Sequence, residues 1–436
     1  MNIDINSKDF QEIVNDFKNN HLDIALNKLK KLSINYPDEY LVIKLFASIY
    51  FKKLDWKNAI KSYEKLILFE KEKFKTHNDI GVAYFKLGKI NKSIKEFKKS
   101  IMDNPNIGGY CNLGIAYNEI GNYEEAVNNY LAALKLDNNN FLVKKYLIST
   151  FELYKPSKIN KNPILKINDE ISQICTDYES NDLYNLNNIK KILSKSNEII
   201  KVSDINLSYN ETQIFRRNSQ DLNCNRHFKI FNKFDIIPKY CFACYKVQIN
   251  VLNVVDLIKL YFVFDNLFLK KNNIRKCIIE MRENIKGNYK GYIYCNGLIE
   301  AKAILKKINL IMNDIEFKYF KIEIKHGCSE FYESYPAYKN INFNGEQEMK
   351  YNQQWIEKEN IIDKQYSIRD DRDRKILGQS LNGINLSDIL IIKNWLIFAN
   401  IIGDQSYKLI FDEKIENNFI EKILQSQLSF RKKELT

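Results

Sequence analysis

Over the first 140 residues apolar positions recur with the period of a helix, and the helices they predict come in pairs at a fixed interval. Small residues stand at Ala25, Ala59, Ser93 and Ala126, separated by 34, 34 and 33 positions, and a bulky residue follows each by four: Leu29, Tyr63, Phe97 and Tyr130. Gly81 with Tyr84 and Gly114 with Tyr117 repeat in the third and fourth units, and Gly88 and Gly121 mark the turns between their helices. The second unit departs, with Lys53 where a turn glycine is expected and Lys71 where a closing proline is expected. The physical reason for such a pattern is packing. A small residue lets two antiparallel helices approach, and a bulky one fills the gap to the next pair. The stretch FLVKKYLISTFELYK (141–155) reads as a helix capping the array.

Further along, the period changes to two. Strands are predicted at YKVQINV (245–251), CIIEMRE (277–283), GYIYCN (291–296) and YFKIEIKHG (319–327), with helices at VVDLIKLYFVFDNL (254–267) and LIEAKAILKKINLIMND (298–314). NIKGNYK (284–290) joins the second and third strands as a hairpin. The order is βαββαβ, so the chain is expected to be α+β: a helical array over 1–155, a partly helical linker over 156–225, a mixed domain over 226–345, and C-terminal helices over 346–436 packed on it. In the linker, LYNLNNIKKILSK (183–195) is the best helix. LSDILIIKNWLIFANIIG (386–403) has a Ser/Asp start and a Gly stop, and IRDDRDRK (368–375) reads as a solvated charge run. Strand parity turns Val247, Ile249, Cys277, Ile279, Ile293, Cys295, Ile322 and Ile324 toward the helices, leaving Lys246, Gln248, Asn250, Tyr292 and Tyr294 on the other face.

The pattern carried by Ala25, Ala59, Gly81, Tyr84, Gly114, Tyr117 and Ala126 resembles the tetratricopeptide repeat. That resemblance implies a right-handed solenoid whose concave surface holds an extended peptide or a partner helix; a spacer that binds nothing is the plainer alternative. The βαββαβ order is similar to the ferredoxin-like fold. Within it, about 80 residues resemble the RNA-recognition motif: DLIKLYFVFDN (256–266) looks like its first helix, and Lys290, Gly291, Tyr292 and Tyr294 match its basic-glycine-aromatic-x-aromatic core. The resemblance implies RNA on this face, with bases stacked on Tyr292 and Tyr294 and with Lys246 and Lys290 beside them. Strand one departs from the motif, carrying Lys246, Gln248 and Asn250 where another stacking aromatic belongs.

Charge and cysteines sharpen the middle of the chain. The 436 residues carry a formal charge of +13. The excess is concentrated: 24 basic residues face 19 acidic ones over 1–155, but 19 face 9 over 226–328. Six of the eight cysteines lie between Cys224 and Cys328. In the expected topology Cys241, Cys244, Cys277, Cys295, Cys328 and His326 fall at one end of the sheet, together with Lys239, Arg275, Lys276 and Lys325. Cys277 and Cys295 face the core, where cysteine is common. Cys241, Cys244, Cys328 and His326 remain as candidate ligands for zinc or an iron–sulfur cluster, as reactive thiols, or as packing residues. HGCSEFYESYPAYKNINF (326–343) is expected to fold back over this end.

There is no glycine-rich phosphate loop, no H-E-x-x-H and no G-x-S-x-G. Enzyme chemistry would therefore be thiol or metal chemistry at the cysteine end. The expected function is a non-enzymatic adaptor, with a metal- or thiol-dependent enzyme and an RNA-binding protein as alternatives. With no run long enough to span a bilayer and no signal peptide pattern, a cytoplasmic location is expected.

Overall fold

Asn20, Leu54, Gly88 and Gly121 have φ of 65°, 61°, 71° and 75° and are spaced 34, 34 and 33 residues apart. A left-handed residue at this point ends one helix and turns the chain into its antiparallel partner. The amide of the next residue then donates to a carbonyl five back: His21 to Asp16, Asp55 to Tyr50, Lys89 to Tyr84 and Asn122 to Tyr117, all within 3.0 Å. The residue at the glycine register of the second unit is thus Leu54, one position beyond the Lys53 expected from the sequence.

The computed structural model describes residues 7–157, 162–175, 178, 182–216, 222, 224–283, 285–344, 347–366, 379–411 and 418–435. The charge run at 368–375 and Asn284 of the hairpin lie outside the described residues. The chain divides into two compact units, residues 1–147 with 365–369, and residues 148–364 with 370–436.

The first unit consists of helix pairs: α1 (Lys8–Lys18) with α2 (Leu22–Asn35), α3 (Tyr40–Lys52) with α4 (Trp56–Leu66), α5 (Phe74–Lys86) with α6 (Ile90–Asp103), and α7 (Ile107–Glu119) with α8 (Tyr123–Leu136). The small–bulky pattern is realised inside each pair. A Cβ placed on Gly81 would lie 2.5 Å from the Phe97 ring, and one on Gly114 would lie 2.5 Å from the Tyr130 ring. In the second pair Ala47 takes the glycine's place beside Tyr63, in one buried cluster with Ala59 and Ile80. α9 (Phe141–Thr150) follows, and the division between the units falls within it, after Leu147.

The second unit is built on a five-stranded antiparallel sheet. Its strands are β1 (Gln213–Arg216), β2 (Cys244–Val251), β3 (Arg275–Ile279), β4 (Tyr289–Asn296) and β5 (Phe320–His326), in the spatial order β1-β3-β4-β2-β5. α13 (Val254–Asn266) follows β2 and α14 (Leu298–Asp314) follows β4, and both pack on one face. Gly291 lies under the first of them, where a Cβ would come within 2.6 Å of Leu260 and 2.9 Å of Phe264. Register places Gly291 beside Ile249 and Cys277, and Val247 between Ile293 and Ile324. Val247, Ile249, Cys277, Ile279, Ile293 and Cys295 are all buried.

Three features depart from the expected organisation. Residues 163–202 form α10 (Pro163–Ile174) and α11 (Leu186–Val202), whose apolar faces pack on α16 (Leu386–Ile402), so this stretch is an integral layer of the second unit. β1 extends the sheet beyond β3, and α12 (Cys224–Phe234) follows it. α16 is almost wholly buried, and its cap is Asn385, with Asp388 completing the reciprocal box, while Gly403 ends it at φ 92°. Asp388 also receives Arg216 at 2.8 Å, and Arg216 donates to Asp265 at 2.5 Å. This buried network ties β1, α13 and α16 together. The remaining helices are α15 (Trp355–Tyr366), α17 (Asn418–Leu424) and α18 (Leu428–Lys433); from α18 the fully buried Arg431 donates to the carbonyl of Ile285 at 2.8 Å. Among the described residues no helix is long and apolar enough to cross a membrane.

Candidate functional site

Strand parity decides what the cysteine end can do. Register pairs Tyr245 with Cys295 and His326, which puts these three on the helix-covered face, while Cys244, Lys246, Gln248, Tyr292 and Tyr294 share the other. His326 is buried between the rings of Tyr245, 4.5 Å away, and Tyr338, 4.3 Å away. Its Nδ1 lies 2.6 Å from the Tyr338 carbonyl and its Nε2 lies 3.1 Å from the Phe242 carbonyl. Burial lowers its pKa while the two carbonyls work against that. Neither nitrogen points at a thiol.

The segment after β5 folds back across this end, as its aromatic density suggests. Short 3-10 turns at Ser329–Phe331 and Pro336–Lys339 place Tyr338 in a core with Ile237, Cys241 and Phe331, and the Tyr338 hydroxyl donates to the Cys241 carbonyl at 2.7 Å. Cys241, Cys244 and Cys328 do come together, with Cys224, around one apolar cavity of about 20 Å³ walled by Phe228, Tyr240 and Phe331. Burial pushes the thiol of Cys241 well up and that of Cys244 to about 11, so both pack as neutral groups rather than thiolates. Among the described residues no group of three or more His, Cys, Asp and Glu side chains is arranged to hold a metal ion. The set does not fit zinc or an iron–sulfur cluster, since His326 is on the other face of the sheet and the thiols are not arranged as a ligand group; Cys328 instead accepts a hydrogen bond from Lys246 Nζ at 3.3 Å.

The tyrosine face is not an open platform. α12 and the Ser329–Phe331 turn cover it, and Tyr292 is only 5% exposed. Lys290 is 1% exposed and donates to Glu280 at 2.9 Å. Burial would raise Glu280, but Arg282 and Lys290 outweigh it and hold the carboxylate at about 2. Lys290 is thereby committed to a buried ion pair, away from any phosphate backbone.

Between the sheet and its cover lies a pocket of about 460 Å³. Its floor is Tyr292 and Tyr294, its walls include Phe215, Leu222, Phe228 and Ile274, and three amines enter it: Lys246, Lys276 and Lys325. Among the described residues none of the three is paired with a carboxylate. Besides Cys328, Lys246 has the Tyr294 ring at 5.2 Å; Lys276 donates to Gln213 at 3.1 Å and lies over Tyr292 at 5.7 Å; Lys325 donates to Ser329 at 3.0 Å. Burial, then the charge of Lys246, lowers Lys276 and Lys325 to about 8. Sequence reading placed Lys276 and Lys325 at this end of the sheet. It expected the fold-back of 326–343, which supplies the Ser329–Phe331 part of the cover, but not β1 or α12, which are short.

In the first unit the shared surface is that of the first helices. Asn112 of α7 donates to Asn78 of α5 at 2.9 Å, so these helices lie side by side, while Tyr40 and Asn78 are half-buried and Lys44 is exposed. Ala25, Ala59, Gly81, Gly114, Tyr117 and Ala126 are buried between helices, with Tyr84 partly so.

The tetratricopeptide repeat family matches residues 74–106 and 107–140. These two helix pairs are tetratricopeptide repeats, and the pairs before them repeat the same turn. Among solved structures, a crystal structure of MamA is 17% identical, covering 35% of this chain and 85% of its own, with a TM-score of 0.31. MamA from Desulfovibrio magneticus RS-1, residues 41 to the end, is 12% identical, covering 45% of this chain and 96% of its own, with a TM-score of 0.31. No curated protein matches the chain.

Proposed function

We propose that the chain is a non-enzymatic adaptor whose repeats hold an extended peptide or a partner helix along the surface formed by α3, α5 and α7. The observation carrying this reading is the Asn112–Asn78 hydrogen bond, which joins the first helices α5 and α7 side by side with polar groups on their shared face. Repeat arrays bury their apolar faces between neighbours and leave such surfaces for partners. The second unit is read as a ferredoxin-like module, supported by its β2-α13-β3-β4-α14-β5 order and antiparallel pairing, with β1 added at one edge. The eight free cysteines of the chain suit a reducing compartment, in keeping with a cytoplasmic location.

The test uses the full chain. A partner is captured from source cells and identified, and its affinity is then measured against the parent and against Tyr40→Ala, Lys44→Glu and Asn78→Ala combined. Loss of affinity by tenfold or more, with the melting temperature unchanged, is the expected result. Undiminished binding by the variant would place the partner elsewhere and overturn the assignment.

A further inference from the structure

The pocket on the sheet face has a charge balance that calls for a ligand. Ion pairs account for the other cations around it: buried Lys290 and exposed Arg282 meet Glu280, and Arg282 also meets Glu330. Lys246, Lys276 and Lys325 have no carboxylate within ion-pair distance among the described residues. The two carboxylates that line the pocket, Glu280 and Glu330, are engaged by Lys290 and Arg282, so three further amines converge here with no carboxylate of their own, and Lys246, 8% exposed, is largely withdrawn from solvent. Simple core packing would not assemble them. A hydrophobic residue at position 246 would serve a core better.

We propose that this pocket binds a small phosphate-bearing organic anion, a phosphomonoester of about mononucleotide size, through Lys246, Lys276 and Lys325. Lysine acts as a point charge and suits phosphate, whereas a carboxylate is better held by a guanidinium fork; the arginine nearest, Arg282, is already engaged by Glu280. A bare phosphate would fill only a fraction of the 460 Å³. Phe215, Phe228, Ile274 and Leu222 form an apolar wall around the tyrosine floor, with Gln213, Asn225 and Ser329 among the polar groups at its side, so the ligand carries a planar body beside its phosphate. A nucleic-acid strand is excluded by α12 and the Ser329–Phe331 turn above the tyrosines. Lys276 and Lys325 are half-buried and give the ligand its way in. Their neutral partners, Gln213 and Ser329, hold the amines in place without neutralising them. This site is independent of what the helical repeats hold.

The experiment is a binding measurement on the full chain by equilibrium dialysis and thermal shift. The probes are adenosine monophosphate, inorganic phosphate, adenosine and citrate, and the chains are the parent, Lys246→Met, and Lys276→Met with Lys325→Met. Adenosine monophosphate is expected to bind the parent at least tenfold more tightly than the other three probes. Its affinity is expected to fall as salt rises and to drop at least tenfold in the double variant, with near-ultraviolet circular dichroism showing both variants folded. Should Lys246→Met fail to fold, the double variant alone decides. No binding of adenosine monophosphate up to about 10 mM, a few kcal/mol on the affinity scale, would overturn the proposal. So would equal binding of adenosine or citrate, or affinity unchanged in the double variant. Inorganic phosphate binding as tightly as the nucleotide would refute the apolar half of the site.

Discussion

Leu54 is a single residue on which the repeat array spends stability. At φ 61° it occupies the position that Gly88 and Gly121 hold in later units, and its side chain is 51% exposed, so little packing offsets the strain. A left-handed non-glycine residue costs about 1–2 kcal/mol, less the entropy glycine loses on folding. Leu54→Gly should therefore stabilise the chain by up to about 1 kcal/mol, read as a higher melting temperature; a lower one would show that Leu54 packs better than its exposure implies. Gly114→Ala tests the opposite case. Its Cβ would lie 2.5 Å from the Tyr130 ring, and overpacking of this kind costs about 1–3 kcal/mol. The pocket lysines make a third test, through pH. Lys276 and Lys325 titrate at about 8 in the folded chain and at about 10.5 when unfolded. Between these values the unfolded state binds more protons, so these two groups make stability rise with pH there; their cost is greatest below about pH 8. The Lys276→Met, Lys325→Met chain should thus exceed the parent in melting temperature at pH 7 by a margin that shrinks toward about pH 10. A margin independent of pH would show that the two amines are not destabilised by burial.

Elements were legible in the sequence in proportion to the length and regularity of their patterns. The repeat helices, α13, α14 and the four central strands carry sustained periods of 3.6 or 2, while α16 is apolar on every side and is marked by its caps, and each is present. β1 is four residues long, QIFR, and α12 (CNRHFKIFNKF), though amphipathic, is short, so of the cover only the fold-back of 326–343 was legible, and the pocket was not. The same gap explains the RNA resemblance: Lys290, Gly291, Tyr292 and Tyr294 have the motif's spacing, and only tertiary cover turns that face inward. Parity alone, applied to residues 244, 245 and 326, separates His326 from Cys244. The distance between the cysteines was not legible, because it depends on the fold-back of 326–340. At this scale Asp388 is the sharpest test. One carboxylate completes the cap of α16, receives Arg216 and accepts the Tyr261 hydroxyl at 3.1 Å. Removing one partner of a buried ion pair costs about 3–5 kcal/mol, so Asp388→Ala should unfold the second unit far more readily than Asn385→Ala, which loses a cap worth about 1 kcal/mol. Equal effects of the two would mean that the Arg216 network contributes little.

Across the whole molecule, each unit offers a different kind of surface. The first presents a repeated helical face with polar groups along it, suited to a polypeptide; the second encloses a cationic pocket beneath a cover, suited to a small anion. The most direct measurement of the adaptor reading is site-specific photo-crosslinking in the full chain within its source cells. A photoreactive residue is placed at Asn78 or Asn112 on the first-helix face, and at Lys61 or Lys95, exposed positions on α4 and α6. The account predicts one discrete protein adduct from positions 78 and 112 and none from 61 and 95. Adducts of equal yield from both sets, or from 61 and 95 alone, would contradict it.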